Sequence, residues 1–436
     1  MVVRNAAAAA GLLALLLASP ALATVPADTI KARAAQVQPK VVAWRRDLHQ
    51  HPELGNREFR TAELVADHLR SLGLEVREGV GTTGVVGVLE GGKPGKTVAL
   101  RADMDALPVA EETGLPFASK ATGEWEGKTV GLMHACGHDT HVAMLMGAAE
   151  VLAGLRAQIP GTVVFIFQPA EEGPPIGEPA GAAFMIEEGA LENPRVDAIF
   201  GLHSFSQFDS GELHYRAEGI MASVDKIQIS LKGKQTHGAY PWNGVDITAL
   251  AADVIQAVNQ IAARRVDVAA SPSVATIATV NGGVRHNIIP DEMVLTGTLR
   301  TFAPERRKFL MVEIDKVSAK LAEAYGATAK VEFLQPYPTT FNDKALSARV
   351  LPWLQETGAP KVNPEVPLQM GGEDFSEFQL KVPGVFYFLG VGDPAVPAAE
   401  RAPNHSPRFM VHEPAMEVGV RAHVLTALRY LESGGR

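Results

Sequence analysis

Apolar and polar positions divide this chain into two kinds of territory. Residues 27–48 carry a helical pattern. Residues 58–72 repeat it, with Phe59, Ala62, Val65, Leu69 and Leu72 at near-helical spacing and Gly73 as the stop. Short uninterrupted apolar runs follow at 85–89, 97–100, 163–167, 198–202 and 385–389, the length and density of strands buried on both faces. Between them, residues 141–155 place Val142, Leu145, Met146, Ala149 and Leu152 on one helical face, and a last helix is expected over 414–431. Strands alternating with helices predict an α/β domain built on a mostly parallel sheet.

Residues 222–333 read differently. Strand 226–231 alternates Ile227, Ile229 and Leu231; helix 245–263, strands 273–280 and 292–301, helix 304–325 and strand 328–333 follow. Strand-helix-strand-strand-helix-strand is the ferredoxin-like order, so an α+β domain is expected as an insertion. The α/β domain then comprises 24–221 and 334–436.

The first 23 residues have Arg4, an apolar stretch and an Ala21-Leu22-Ala23 end, the layout of a secretory signal peptide; a retained anchor is the alternative. Export to the periplasm or medium is therefore expected, with a mature chain that is not a membrane protein. Removing this segment takes away Arg4 and no acid, so the formal charge of −9 becomes more negative still. An acidic chain without a Lys/Arg cluster is a poor candidate for nucleic acid or anionic membrane. A small-molecule partner fits better. Cys136 is the only cysteine, which excludes an intramolecular disulfide despite an export route that would permit one.

Candidate chemistry collects around that cysteine. His134, Cys136, His138, Asp139 and His141 fall within eight residues at a helix entrance, where the helix N-terminus favours a thiolate. An isolated Cys-x-His is equally well a structural cysteine beside surface histidines; the density of donors favours a site. The run 163–167 leads into Glu171 and Glu172, the run 198–202 into His203, and the run from 97 into Asp103 and Asp105. Each position alone reads as a satisfied core residue or solvated loop charge. Delivery of such side chains at the same ends of several buried strands is where open α/β sheets place active sites, and points to a metal centre. His405, alone, is unremarkable, and Gly371–Phe375 is a glycine turn carrying Glu373 and Asp374.

RADMDALP at 101–108, HACGHDTH at 134–141, QPAEEG at 168–173, GLH at 201–203, NIIP at 287–290, GGEDF at 371–375 and NHSP at 404–407 form an ordered set spanning most of the chain. The set resembles the signatures of the aminoacylase/carboxypeptidase superfamily, in its hippurate hydrolase and auxin-conjugate amidohydrolase branch. The resemblance implies an α/β catalytic domain with a ferredoxin-like lid that often dimerises. It implies metal ligands Cys136, His138, Glu172, His203 and His405, with Glu171 as general base. Asp103 and Asp105 would support these ligands, Asp105 by orienting a liganding histidine. Related branches carry His at the position of Asp103 and Asp near that of Cys136.

The resemblance further implies two divalent cations per subunit. Zinc suits the mixed donor set best, and manganese, cobalt or nickel are admitted. In the family a histidine placed like His237 donates to the oxyanion, commonly in the partner subunit's site, although Gln235 and Thr236 stand here where glycine-like residues are usual. Asn287 and Arg300 are expected to bind a substrate carboxylate, with a surface salt bridge as the alternative for Arg300. The implied reaction is hydrolysis of N-acyl or N-aroyl amino acids, extending in some members to aryl amides such as ochratoxin. A dipeptidase or carboxypeptidase, and an inactive binding protein of the same fold, are the competing readings. The proline-rich loop 173–181, with Ile176, is expected to wall the acyl pocket.

Overall fold

The computed structural model describes residues 24–174 and 177–435, so the expected signal segment and Ile176 lie outside the described residues. The long helices are Ala27–Gln50 (α1), Phe59–Ser71 (α2), His138–Ala153 (α3), Ile247–Arg264 (α4), Pro304–Tyr325 (α5) and Ala415–Glu432 (α6). The strands that build the two principal sheets are Glu75–Val80 (β1), Gly84–Glu90 (β2), Lys93–Asp103 (β3), Pro160–Gln168 (β4), Ala198–Asp209 (β5), Leu213–His214 (β6), Val224–Lys232 (β7), Ser273–Gly282 (β8), Glu292–Thr301 (β9), Thr328–Tyr337 (β10), Val362–Asn363 (β11) and Gly384–Gly392 (β12). Among the described residues no helix is long and apolar enough to cross a membrane.

The larger sheet runs β1-β2-β4-β3-β5-β12-β6-β11. Its four central strands, β4, β3, β5 and β12, are mutually parallel, and antiparallel pairs appear only toward the margins. The unbroken apolar runs sit in these central strands because both faces are covered: every residue of β12 is buried. Helix α3 is the exception to a one-sided reading. It is buried around almost its whole circumference, wedged between the sheet, α1 and α6, so its Ala and Gly positions are contact surfaces as much as its Leu and Met positions.

The smaller sheet, β8-β9-β7-β10, is antiparallel throughout, the strand order of a ferredoxin-like unit, and α4 and α5 pack against it. Its core, built around Ile227, Ile229, Leu250, Val254, Leu295, Leu299 and Ile314, is separate from that of the larger sheet. The last strand runs to Tyr337, which pairs with Val224, so the inserted sheet extends past residue 333.

Candidate metal centre

Strand ends and one helix entrance bring the donors together. Gly137 takes φ 92°, a left-handed conformation that lets the chain turn sharply into α3, so helical structure begins at His138 and not at residue 141. Added β-carbon volume at Gly137 would fall 2.3 Å from Ser204 Oγ, so the position is also sterically closed. His203 is not the last residue of its strand, but it lies just beyond Gly201, where pairing with β3 ends. Its ring is thereby free to face the helix entrance.

Cys136, His138 and His203 form one trio whose donor atoms all lie within 4.8 Å of one another, and Cys136, Glu172 and His405 form a second. The two share Cys136, and His138, Glu171 and Glu172 form a further such group. Cys136 Sγ lies 3.4 Å from His203 Nε2, and His405 Nε2 lies 3.0 Å from Glu172 Oε1. Cys136, His138 and His203 are buried and Glu172 is partly so, while the His405 side chain is 55% exposed and marks the side open to solvent.

Hydrogen bonding sets the histidines in the posture of ligands. His138 Nδ1 donates to Asp105 O at 2.8 Å and His203 Nδ1 to Ser204 O at 3.0 Å, which leaves both Nε2 atoms facing the cluster. His138 Nε2 is buried with no hydrogen-bond partner. Burial, then Glu172, Glu171 and Asp103, push the Cys136 thiol well above its ordinary range, so a thiolate there requires a nearby cation. Burial opposes charge on His138, yet Asp103 and Asp105 outweigh it and raise the imidazole to about 10. In effect the carboxylates hold a proton where a soft and nitrogenous donor set would hold a divalent cation; the residues fit such an ion.

A charged scaffold backs this cluster. Arg101, wholly buried, donates to Asp103 Oδ2 at 2.7 Å, Gln168 Oε1 at 2.8 Å, Glu373 Oε1 at 2.9 Å and Asp374 Oδ1 at 3.0 Å. His141 accepts the Ser204 N–H on Nε2 at 2.8 Å, so its Nδ1 donates to Asp103 Oδ1 at 2.5 Å. Burial raises Asp103, but His138, Arg101 and His141 together hold it well below the usual carboxylate range. Asp105 Oδ2 accepts the Glu172 N–H at 2.9 Å. Asp103 and Asp105 thus touch the donors from behind. Arg101 and the Glu373–Asp374 pair complete this support, which their scattered positions along the chain do not reveal. His134 belongs to the same motif but not to the converging donors; it is buried with neither ring nitrogen paired, and burial lowers it to about 4.

Glu171 is buried beside the donors. Burial first, then Glu373 and Glu172, raise its carboxyl well above the ordinary range. His237 stands apart: it is exposed on the lid, its Nδ1 accepts the Ala239 N–H, and it pairs with Ile288 beside Asn287. Arg300 lies half-buried in β9, and no ion pair to it is found among the described residues. Within one chain the fold therefore gathers the metal donors and Glu171 but leaves His237, Asn287 and Arg300 on the lid. Of the 173–181 loop, Glu178 is tied to Arg57 at 2.7 Å and Asn56 at 3.1 Å.

A mostly parallel α/β sheet with acids, histidines and a cysteine converging at the strand ends, capped by a ferredoxin-like unit, defines a metal-binding hydrolase of amide or peptide bonds. Residues 99–429 match Peptidase family M20/M25/M40, and the chain belongs to that family. It is 39% identical over 405 residues to thermostable carboxypeptidase 1 of Saccharolobus solfataricus, covering 92% of this chain and 98% of the other. It is 37% identical over 404 residues to IAA-amino acid hydrolase ILR1-like 2 of Arabidopsis thaliana, covering 90% and 87%. The solved structure of a Bacillus subtilis dinuclear metal binding peptidase from the M20 family superposes with a TM-score of 0.77 at 33% identity, covering 92% of this chain and 99% of the other.

Proposed function

We propose that the protein hydrolyses the amide bond of N-acyl or N-aroyl amino acids, hippurate-like amides foremost and bulkier aryl amides such as ochratoxin by extension. Two divalent cations per subunit, zinc before manganese, cobalt or nickel, would be held by Cys136, His138, Glu172, His203 and His405. The observation that carries this reading is the pair of donor trios sharing Cys136 next to the buried carboxyl of Glu171. When bound, the cations would supply Lewis-acid polarisation of the amide carbonyl and a more acidic water.

The rest is the work of side chains. Glu171 takes a proton from the attacking water on a carboxylate oxygen and returns it to the departing amine nitrogen. Asp105, through its backbone carbonyl, keeps His138 in the Nε2-facing tautomer, and Asp103, fixed by Arg101 and His141, keeps negative charge behind the cluster. His237 donates to the developing oxyanion from the partner subunit, a reading supported by its exposure on the lid and its absence from its own chain's donor groups; loss of such a donor costs roughly 100- to 1000-fold in rate. Asn287 and Arg300 hold the substrate carboxylate. The homodimer would form through the lid, whose edge strand β8 presents Val274 and Val280 to solvent. The mature enzyme is proposed to act outside the cytoplasm, and the tethered 173–181 loop to wall the acyl pocket.

Glu171→Gln is expected to abolish turnover with metal content unchanged; wild-type activity in that variant would refute the base assignment. The 39% likeness to a carboxypeptidase favours peptide hydrolysis as a second reading. A panel of acetyl, benzoyl and bulky aroyl amino acids run against free dipeptides separates the two, and turnover of dipeptides alone would overturn the first. Turnover of none, with metal bound, would favour the binding-protein reading.

A further inference from the structure

The turn that carries Glu171 is held from both sides by residues outside the donor set. Glu58 is the N-cap of α2, a position where a side-chain oxygen can accept an N–H of the helix's first turn. It does not. Its Oε1 accepts the Ala170 N–H at 2.8 Å, and Thr83 Oγ1 donates to its Oε2 at 2.5 Å. Glu58 is wholly buried, and burial with the neighbouring Asp105 carboxylate raises it to about 8, so the fold keeps an acid at a site that disfavours its charge. Ala170 has φ 51°, a left-handed conformation that a non-glycine residue adopts only when its surroundings impose it. On the far side, Tyr337 Oη donates to Glu171 O at 2.9 Å, and the next N–H, that of Glu172, is held by Asp105. Successive residues of the turn are therefore fastened by side chains from the N-cap of α2, from β10 and from the segment just after β3.

We propose that Glu58 and Tyr337 are positioning residues of the hydrolytic reaction: by gripping the backbone on either side of the Glu171 α-carbon, they aim its carboxyl at the metal donors. The inference rests on Glu171 being the base. Without the Glu58 bond, Ala170 is free to leave its left-handed conformation, which rotates the following peptide and swings the Glu171 side chain. Tyr337 adds a second consequence. It is the last residue of β10 and pairs with Val224 of the lid sheet, so one jaw of the clamp belongs to the catalytic domain and the other to the root of the lid. The base is aimed only when the two are seated together.

The test compares Glu58→Gln, Glu58→Leu, Tyr337→Phe and Glu171→Gln in the full-length metal-loaded enzyme, with kcat, KM and metal content measured on benzoyl-glycine or the best substrate of the panel. Glu58→Gln keeps an oxygen acceptor for Ala170, and Tyr337→Phe removes only a hydroxyl, so the clamp remains testable even if Glu58→Leu fails to fold. The expected result is a fall in kcat of about tenfold or more for Glu58→Leu and Tyr337→Phe at near-wild-type KM and metal content, with Glu58→Gln close to wild type. The proposal is overturned if kcat stays within about twofold of wild type, if the loss resides in KM or metal content, or if Glu58→Gln is as impaired as Glu58→Leu. Full activity in Glu171→Gln would instead remove the base reading itself, a different failure.

Discussion

Replacing Arg101 by Met tests the charged scaffold most directly. The side chains are similar in length, so the change removes a guanidinium with little loss of volume. What remains is Asp103, Glu373 and Asp374, all buried and all deprived of the cation to which they are now bonded at 2.7, 2.9 and 3.0 Å. Breaking a buried ion pair from one side costs roughly 3–5 kcal/mol, because the uncompensated charge stays in a poorly solvated site. At about 2–4 °C per kcal/mol, the transition of the catalytic domain should fall by roughly 10 °C.

The pH dependence sharpens the expectation. Burial raises Glu373 to about 8 and Asp374 to about 6, even with Arg101 opposing it. Both folded-state values lie above the unfolded value of about 4, so this stability is fully present below about pH 4 and is lost as pH rises through the folded values. Removing the cation raises these carboxyls further and enlarges that loss. The Arg101→Met deficit should therefore be greater at pH 8.5 than at pH 5.5, where protonated carboxyls tolerate one another. Calorimetry at matched metal content provides the assay. A deficit below about 1 kcal/mol at both pH values, or a larger one at the acidic pH, would refute the reasoning.

Cys136→Ser should lower bound metal, by elemental analysis, while leaving the fold intact; full occupancy would remove the thiolate from the ligand set. Gly137→Ala should lose both stability, by about 1–3 kcal/mol, and metal, since its φ is 92° and its new Cβ meets Ser204 Oγ at 2.3 Å. Gly127→Ala, with φ 74° and nothing within 4 Å of the new atom, should lose stability alone; equal effects on metal would show that Gly137 plays no special part. If the proposed lid-mediated homodimer forms, Val274→Lys on the open edge of β8 should leave folded monomers in light scattering; an unchanged dimer mass, or a monomeric wild type, would overturn that interface.

The central strands are legible in the sequence because burial on both faces leaves an unbroken apolar run, and the lid because its sheet faces α4 and α5 on one side only, giving the alternation of Ile227, Ile229 and Leu231. Polar marginal elements are not. Strand β1 reads Glu-Val-Arg-Glu-Gly-Val, and the hairpin Thr122–Trp125 with Lys128–Gly131 buries too little to leave a pattern.

The candidate donors Cys136, His138, Glu172 and His203, with the neighbouring Glu171, stand out in the same way, since local chemistry concentrates them at strand ends and one helix entrance; the family resemblance supplies His405 and separates the roles of Glu171 and Glu172. Their supports are not. Arg101 and Glu373 are 272 residues apart in the chain, Glu58 and Ala170 are 112 apart, and Tyr337 and Glu171 are 166 apart. Sequence by itself picked out the candidate donors, because donor type and spacing are local properties. Tertiary structure alone decided which backbone groups hold them in place, because a buried polar group must find its partner across the fold, and that search leaves no periodic trace along the chain.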